Sequence, residues 1–249
     1  MGYVFFGVLF QVLFGEVGIL LTQLLVILLP GLLWAKVRGH DLVRTFSLRR
    51  PSSRGVLGGF LLLAGGLPLA WLLSWLQSFF IEVPVELLEG LSAFLTTDDP
   101  LRMLWLLLLV AVTPAICEEF LFRGYLLSGF RSRWSVPVSI ILSGVVFGVF
   151  HLSPETAFRF LPTAWLGILL AWVVVETRSI WTGVLLHFLN NGTILLLTLL
   201  PATREVATDV DQSPPWLLLP LAVVIFVVGV RVLQKEGRRL RGEVEEEEP

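Results

Sequence analysis

Long apolar blocks divide this chain, and they constrain its fold more than any other feature of the sequence. Several of them reach or exceed the roughly 18–20 residues that an α-helix needs to cross the hydrocarbon core of a bilayer. Only 15% of the residues are charged, against about 25% in soluble domains, which argues against a soluble globular fold. The sequence therefore predicts a polytopic membrane protein. The blocks lie at about residues 3–35, 56–81, 101–130, 136–152, 157–176, 180–200 and 215–234.

The first block can be read in two ways. It is long enough for one tilted span or for a short helix followed by a span, and Glu16 and Gly18 mark the position of a break. We expect an all-α fold, a polytopic bundle of about seven transmembrane helices, or about eight, around a polar intramembrane cavity. Residues 1–234 would form a single transmembrane domain. The charged residues 235–249 would form a disordered cytoplasmic tail.

The loops between the blocks predict the orientation of the chain. Residues 36–54 contain six Lys and Arg residues against one acid, whereas residues 82–100 contain five acids and no base. By the positive-inside rule, the first loop is cytoplasmic and the second lies outside. Alternation then places Arg131 and Arg178 inside and residues 201–214 outside. We therefore expect an N-terminus outside the cell and a cytoplasmic C-terminus.

Ionisable side chains interrupt the third block, where Glu118, Glu119 and Arg123 follow a strongly apolar run. A charged side chain at the centre of a bilayer costs roughly 2.5–3.5 kcal/mol on insertion scales, so these groups need a compensating reason. Glu119 and Arg123 are four residues apart in the favourable acid-first order and can pair on one helix face. Glu118 is rotated by about 100° from Glu119. It lacks that partner and is available as a working carboxylate.

Histidines lie in two of the later blocks. In the string FGVFH, Phe147 and His151 are four residues apart on one helix face, and in HFLNN the same spacing joins His187 and Asn191. Glu118, His151 and His187 lie about 20, 22 and 10 Å from the predicted cytoplasmic ends of their helices, a difference that tilt and proline kinks can cover. They could therefore meet in one polar cavity reached from the cytoplasm.

Each of these groups also has a purely structural explanation. Glu118, Glu119 and Arg123 could form an ion-pair network between helices, and each histidine could make a helix–helix hydrogen bond. Asn190 could reach the cavity in place of its neighbour or hold helices together. Cys117 is interpreted as a small buried residue, because no activating histidine spacing accompanies it.

The strings EEFLFR, FGVFH and HFLNN occur in that order and read as EExxxR, FxxxH and HxxxN motifs. Together they resemble the CAAX protease and bacteriocin-processing (CPBP) family of intramembrane proteases, which includes the type II CAAX prenyl endopeptidases. The part that carries the motifs spans residues 101–195. The resemblance implies hydrolysis of a peptide bond inside the membrane. It implies a peptide or membrane-protein substrate in the lipid bilayer and no nucleic-acid partner.

The resemblance also implies roles for individual residues. Glu118 would be the general base that activates water, assisted by His151. His187 and Asn191 would bind and polarise the scissile carbonyl group as an oxyanion site. Glu119 and Arg123, together with Phe147 of the second motif, would support these residues.

Two mechanisms and two other functions stay open at this point. Glu118, His151 and His187 would supply a His2Glu set with an open position, as catalytic Zn²⁺ sites do. The HExxH signature of other metalloproteases is absent, and a mechanism without metal fits equally well. Relays of Glu and His also occur in proton-coupled transporters, and a non-proteolytic membrane scaffold could keep the same fold.

Overall fold

A computed structural model describes residues 2–153, 155–200, 214 and 216–247. The described residues form helices joined by short connections and contain no β-sheet, only an isolated antiparallel bridge between Leu48 and Ser179. The all-α bundle expected from the sequence is confirmed. In chain order the helices are α1 (Gly2–Phe14), α2 (Glu16–Val37), α3 (Ser53–Ser78), α4 (Val85–Leu95), α5 (Pro100–Arg131), α6 (Val136–Phe150), α7 (Phe160–Thr177), α8 (Ile180–Leu199) and α9 (Leu219–Glu247).

Five segments of the described chain are long and apolar enough to cross a membrane. They are α2, α3, α5, α8, and α7 together with the 3₁₀ turn Ala157–Arg159 that precedes it. Helix α6 is equally apolar but has only 15 residues. The protein is thus an integral, multi-pass membrane protein. The predicted outside loop at 201–214 lies outside the described residues except for its last position.

The first apolar block is a short helix followed by a span, the second of the two alternatives. Helix α1 ends at Phe14, and helix α2 begins at Glu16. Gly15 between them has a φ of 56°, a left-handed backbone conformation that favours glycine. A Cβ atom on Gly18 would lie 2.0 Å from the carbonyl oxygen of Phe10. Helices α1 and α2 are therefore in direct backbone contact and form a hairpin.

The largest apolar core lies between α3, α7, α8 and α9. Glycines let α3 and α9 approach closely: a Cβ atom on Gly65 would lie 2.4 Å from the backbone nitrogen of Phe226, and one on Gly229 would lie 2.5 Å from that of Leu62. Small residues have this role in membrane helix pairs, where close contact replaces the hydrophobic effect. The buried residues of this core are Leu62, Leu63, Leu169, Leu170, Val173, Leu186 and Leu233.

Three polar segments assemble at one end of the bundle. The Ser179 hydroxyl, in the turn between α7 and α8, donates to the carbonyl oxygen of Arg49 at 2.7 Å. The Ser52 hydroxyl donates to the carboxylate of Glu236 on α9. Donation from Arg239 holds the pKa of Glu236 below its ordinary value. The loop between α2 and α3, the α7–α8 turn and the charged part of α9 therefore lie together.

The sequence predicts a disordered tail at 235–249, and part of this segment belongs to helix α9. The helix continues through Glu247, and the disorder of the tail stays a prediction. Glu236 is buried, and Arg241 pairs with Glu176 of α7 at 3.3 Å. These contacts attach the charged half of α9 to the bundle, which the charge pattern alone could not indicate.

Candidate active site

Helix α5 carries the carboxylates of Glu118 and Glu119 between two segments of π-helix. The π segments are Leu108–Val112 and Phe120–Leu126, and the residues between them, Thr113–Glu119, are α-helical. Wider turns of this kind occur mostly inside α-helices and are frequent at functional sites. The first motif therefore lies in the most irregular part of the longest apolar helix.

The structure brings Glu118, His151 and His187 together, from three different helical segments. The Oε2 atom of Glu118 lies 3.8 Å from Nε2 of His151 and 3.9 Å from Nε2 of His187. The side chains of Glu118 and His187 are 7% and 3% exposed, whereas that of His151 is 28% exposed. The site is thus buried, with His151 at its most accessible side.

Hydrogen bonds on the far side of each imidazole fix where the ring protons lie. Nδ1 of His151 lies 2.8 Å from the carbonyl oxygen of Phe147, and Nδ1 of His187 lies 3.0 Å from Oε1 of Glu119. Both oxygens accept, so both Nδ1 atoms donate, and in the neutral form of each ring the Nε2 atom that faces Glu118 is an acceptor. In that form three acceptor atoms converge, an arrangement that a water molecule with two O–H donors can satisfy in part.

Glu119 and Arg123 form the ion pair that their spacing predicts. Nη1 of Arg123 lies 2.6 Å from Oε1 of Glu119, and both side chains are fully buried. The same oxygen accepts from His187, so the pair also orients that imidazole. A second guanidinium nitrogen donates to the carbonyl oxygen of Gly167 at 3.1 Å. The pair is therefore a support for His187 as well as a neutral unit inside α5.

Phe147 packs against this support from helix α6. Its ring lies 4.3 Å from the guanidinium carbon of Arg123 and contacts both histidine rings, with centroids 4.6 Å from His151 and 5.8 Å from His187. The guanidinium over an aromatic face is a cation–π contact, which compensates part of the cost of burying that charge. Phe147 thus joins the buried ion pair to both imidazoles.

Two glycines allow the motif helices to approach this closely. A Cβ atom on Gly183 of α8 would lie 2.8 Å from Oε2 of Glu119, and one on Gly144 of α6 would lie 2.6 Å from the backbone nitrogen of Ile168. Larger residues at these positions would push α8 away from Glu119 and α6 away from α7. The site therefore depends on small residues that do not take part in it.

Asn191 is engaged with the backbone of α5. Its amide nitrogen donates to the carbonyl oxygen of Val110 at 3.1 Å, and its side-chain oxygen accepts from Asn190 at 3.0 Å. Val110 belongs to the first π segment of α5. One of the two N–H donors of the Asn191 amide is used in the bond to Val110, and the predicted role of Asn191 at an oxyanion site stays a prediction.

Sequence reasoning missed one polar contact of the site, which comes from the first span. The amide nitrogen of Gln23 donates to Oε1 of Glu118 at 2.9 Å. Gln23 lies in α2, in the π-helical segment Thr22–Leu28. Gln23 is uncharged and therefore does not belong to the pattern of buried ionisable groups, although a glutamine inside an apolar block is itself a signal.

The connection after His151 is polar and hydrogen-bonded to itself. The hydroxyl of Thr156 donates to the carbonyl oxygen of His151 at 2.7 Å, and the hydroxyl of Ser153 donates to Glu155 at 2.7 Å. Helix α6 is only about 22 Å long by its rise per residue, which is shorter than the hydrocarbon core. Irregular backbone at membrane depth occurs where it is buried in protein or lines a water-filled cavity, and the exposure of Ser153 fits a water-filled one.

This connection lies at the end of the bundle where Gln77 of α3 lies. The Gln77 amide donates to the carbonyl oxygen of Ala157 at 2.7 Å and accepts from the amide of Leu161 at 2.9 Å. Gln77 is near the C-terminal end of α3, whereas Ser52 and the basic segments lie at its N-terminal end. The predicted cytoplasmic opening of the cavity stays a prediction.

The residues as placed do not form a metal site. Ligand atoms on a tetrahedral zinc ion with bonds of about 2.0–2.1 Å lie roughly 3.3 Å apart, whereas the distances from Glu118 to the two histidines are 3.8 and 3.9 Å. Across the described residues, no group of three or more His, Cys, Asp or Glu side chains is placed to hold a metal ion.

Known proteins share the part of the chain that carries this site. Residues 100–193 match the family model described as type II CAAX prenyl endopeptidase Rce1-like. A curated relative, CAAX prenyl protease 2 of Methanococcus maripaludis, is 27% identical over 218 residues, which cover 75% of this chain and 78% of the relative. No solved structure gives a significant match. The resemblance to the family that the three motifs indicate is confirmed.

Proposed function

Because residues 100–193 match the family model of Rce1-like type II CAAX prenyl endopeptidases, we propose that this chain is an intramembrane endopeptidase whose Glu118 activates a water molecule. The observation that carries the proposal is the convergence of Glu118 Oε2 with the Nε2 atoms of His151 and His187. Each of these atoms is an acceptor, so the space between them suits a molecule that donates. Water is both the donor that fits and the co-substrate of peptide hydrolysis.

In the proposed reaction, the water oxygen attacks the carbonyl carbon of the scissile peptide bond while Oε2 of Glu118 takes its proton. His151 orients the water through Nε2 from the accessible side of the site. The tetrahedral intermediate then collapses, the carbon–nitrogen bond breaks, and the proton held by Glu118 passes to the leaving amine. Proton transfer by a positioned group of this kind contributes roughly 10²–10⁴-fold to a rate.

His187 is the group proposed to stabilise the oxyanion. When its Nε2 is protonated, the ring carries a positive charge that the Glu119 carboxylate at its Nδ1 compensates. Donors aimed at a developing negative charge are worth more in a buried, water-poor site than in bulk water. Asn191 would add a second donor after its amide leaves the carbonyl oxygen of Val110.

The names of the family and of the relative suggest the first substrates to test. Both refer to CAAX prenyl proteins, whose C-terminal Cys-a-a-X sequence carries a prenyl group on the cysteine. We propose that this chain cleaves peptides of that class. An unprenylated peptide of the same sequence is the matched control for the contribution of the lipid.

The test uses purified protein in detergent and quenched fluorescent peptides, both prenylated and unprenylated. We expect wild-type protein to cleave the prenylated peptide and Glu118→Gln to lose at least about 10³-fold in kcat/KM, since the amide cannot take the proton from water. Glu86 is exposed on α4, and Glu86→Gln is the control that should cleave at the wild-type rate. Cleavage by Glu118→Gln at that rate would contradict the proposal.

A chelator added to the same assay tests whether Glu118 activates the water molecule without the help of a metal ion. We expect chelation to leave cleavage unchanged, because the ligand-atom distances do not suit a bound metal ion. Loss of cleavage on chelation, with recovery when Zn²⁺ is added back, would show that a metal ion activates the water instead.

A further inference from the structure

We propose that Gln23, on the first span, is a positioning residue that holds Glu118 in its reactive orientation; this inference rests on the proposed function. Its amide nitrogen lies 2.9 Å from Oε1 of Glu118. Gln23 is 9% exposed and Glu118 is 5% exposed, so the bond is formed away from bulk water. Gln23 lies outside the region that carries the family motifs, which begins at residue 100.

The hydrogen bond distinguishes the two oxygens of the carboxylate. An ionised carboxylate can only accept, so the NH₂ side of the Gln23 amide must face Glu118. Oε1 of Glu118 is thereby occupied, and Oε2 is left facing His151 and His187. The terminal torsion of a glutamate side chain is otherwise only weakly fixed. Gln23 therefore fixes the orientation of the carboxylate plane, with one oxygen bound to the amide and the other free for the proposed water molecule.

Helix α2 is attached to α5 on both sides of Gln23. Towards the N-terminal end of α2, the carboxylate of Glu16 accepts from Nη2 of Arg102 at 2.6 Å and from the indole of Trp105 at 2.7 Å. Towards the other end, a Cβ atom on Gly31 would lie 3.7 Å from Tyr125. The two helices thus run in the same direction, and the amide is held between two anchored points.

The side-chain oxygen of Gln23 gives an independent reason for a functional role. It is buried, and no hydrogen-bond partner for it exists among the described residues. A buried acceptor without a partner is unfavourable, so packing and stability alone would favour an apolar residue at this position. The glutamine is therefore better explained by what its amide nitrogen does to Glu118.

Two substitutions separate positioning from packing. Gln23→Met keeps the length of the side chain and removes the donor, whereas Gln23→Asn keeps an amide but leaves a gap. We expect Gln23→Met to lower kcat on the peptide cleaved by wild-type protein by about 10–100-fold, as misplacement of a catalytic group does, with KM within about twofold. Gln23→Asn should retain more activity. Gln11→Met, at an exposed position of α1, is the matched control.

A packing role predicts the opposite order, because volume-conserving substitutions are tolerated best. A kcat for Gln23→Met equal to or above that of Gln23→Asn would therefore overturn the proposal. Loss of cleavage in Glu118→Gln alongside normal cleavage in Gln23→Met would refute the role of Gln23 and leave the proposed function standing.

A second measurement does not depend on catalysis. The midpoint of thermal unfolding in detergent is compared for wild-type protein, Gln23→Met, Glu118→Met and the double variant. Residues in direct contact give non-additive effects, so we expect the double variant to unfold at a higher temperature than the sum of the two single shifts predicts. Additive shifts would show that the two side chains do not interact and would overturn the proposal, even if no peptide were cleaved.

Discussion

Helices α3 and α9 are held together by backbone contact, whereas α2, α5, α6 and α8 meet around buried polar side chains. At the α3–α9 interface, glycines bring main chains into contact, as Gly65 does with Phe226. In the polar cluster, the side chains of Glu118 and of the Glu119–Arg123 pair are as little exposed as those of the apolar core. Close contact between helices at glycines carries no free-energy penalty in a membrane, whereas a buried charge does and must be compensated by a partner. The α3–α9 interface thus stabilises the fold, whereas the polar cluster is the part to which we assign the proposed chemistry.

The largest effect on folding is expected at the α3–α9 interface. In Gly65→Leu, the new side chain would meet the backbone nitrogen of Phe226, 2.4 Å from the Cβ position. Because backbone cannot move aside as a flexible side chain can, α9 must separate from α3. We expect little or no monodisperse protein in size-exclusion chromatography.

Gly129 gives a matched control, since nothing lies within 4 Å of a Cβ atom at that exposed position of α5. Gly129→Leu should be recovered like wild-type protein. Equal recovery of Gly65→Leu and Gly129→Leu would show that the α3–α9 contact does not support the fold.

A smaller effect on stability, with a large effect on activity, is expected in the polar cluster. Glu119→Leu leaves the charge of Arg123 buried without its partner, and breaking such a pair costs about 3–5 kcal/mol. In the double variant Glu119→Leu/Arg123→Met, both charges are removed and much of that stability should return. Cleavage should stay lost in both, because His187 loses the acceptor at its Nδ1.

Thermal unfolding and peptide cleavage are measured on the same preparations of these two variants. Recovery of cleavage together with stability in the double variant would show that the pair acts only as a structural element. In that case Glu119 would belong with the residues that stabilise the fold and would have no part in the proposed chemistry.

The smallest effect on stability is expected at Glu236, where the loop between α2 and α3 meets α9. The pKa of Glu236 lies below its ordinary value of 4.5, chiefly because Arg239 donates to it. A carboxyl whose pKa is lower in the folded state stabilises the protein above the unfolded pKa, and this contribution is lost as the pH falls through the folded pKa. Thermal stability should therefore decline below about pH 4.5.

Glu236→Gln should be somewhat less stable than wild-type protein at pH 7. This difference in stability should shrink as the pH falls below about 4.5. Cleavage at pH 7 should not change, since Glu236 lies at Ser52 rather than at Glu118. A difference between the two proteins that is the same at pH 3.5 and pH 7 would contradict the assigned role of this carboxylate.

Much of the fold could be predicted from local sequence features. Apolar length predicts the spans, and the spacing of Glu119 and Arg123 predicts their ion pair, because both depend on residues close together in the chain. The break in the first block could be expected near Glu16 for the same reason, and it lies at Gly15. The meeting of Glu118 with His151 and His187 could be expected from depth along the helices.

The remaining contacts join residues that are far apart in sequence. Glu119 and His187 are 68 positions apart, and Gln23 and Glu118 are 95 apart, so no helical period relates them. The amide of Asn191 bonds to the backbone of Val110, and a carbonyl oxygen has no signal in a side-chain pattern. The attachment of α9 through Glu236 to Ser52 is equally long-range, so the charge pattern of the C-terminal segment does not indicate it.

The position of both partners of the buried ion pair on one helix also bears on how the protein is made. Glu119 and Arg123 are joined within α5, and both are synthesised before His187. As α5 leaves the ribosome and enters the bilayer, it can neutralise these two charges by itself, without waiting for a later segment. A pair divided between two helices would expose each charge to lipid in turn, at roughly 2.5–3.5 kcal/mol apiece. The four-residue spacing thus makes the helix that carries the proposed general base competent for insertion before the rest of the candidate site exists.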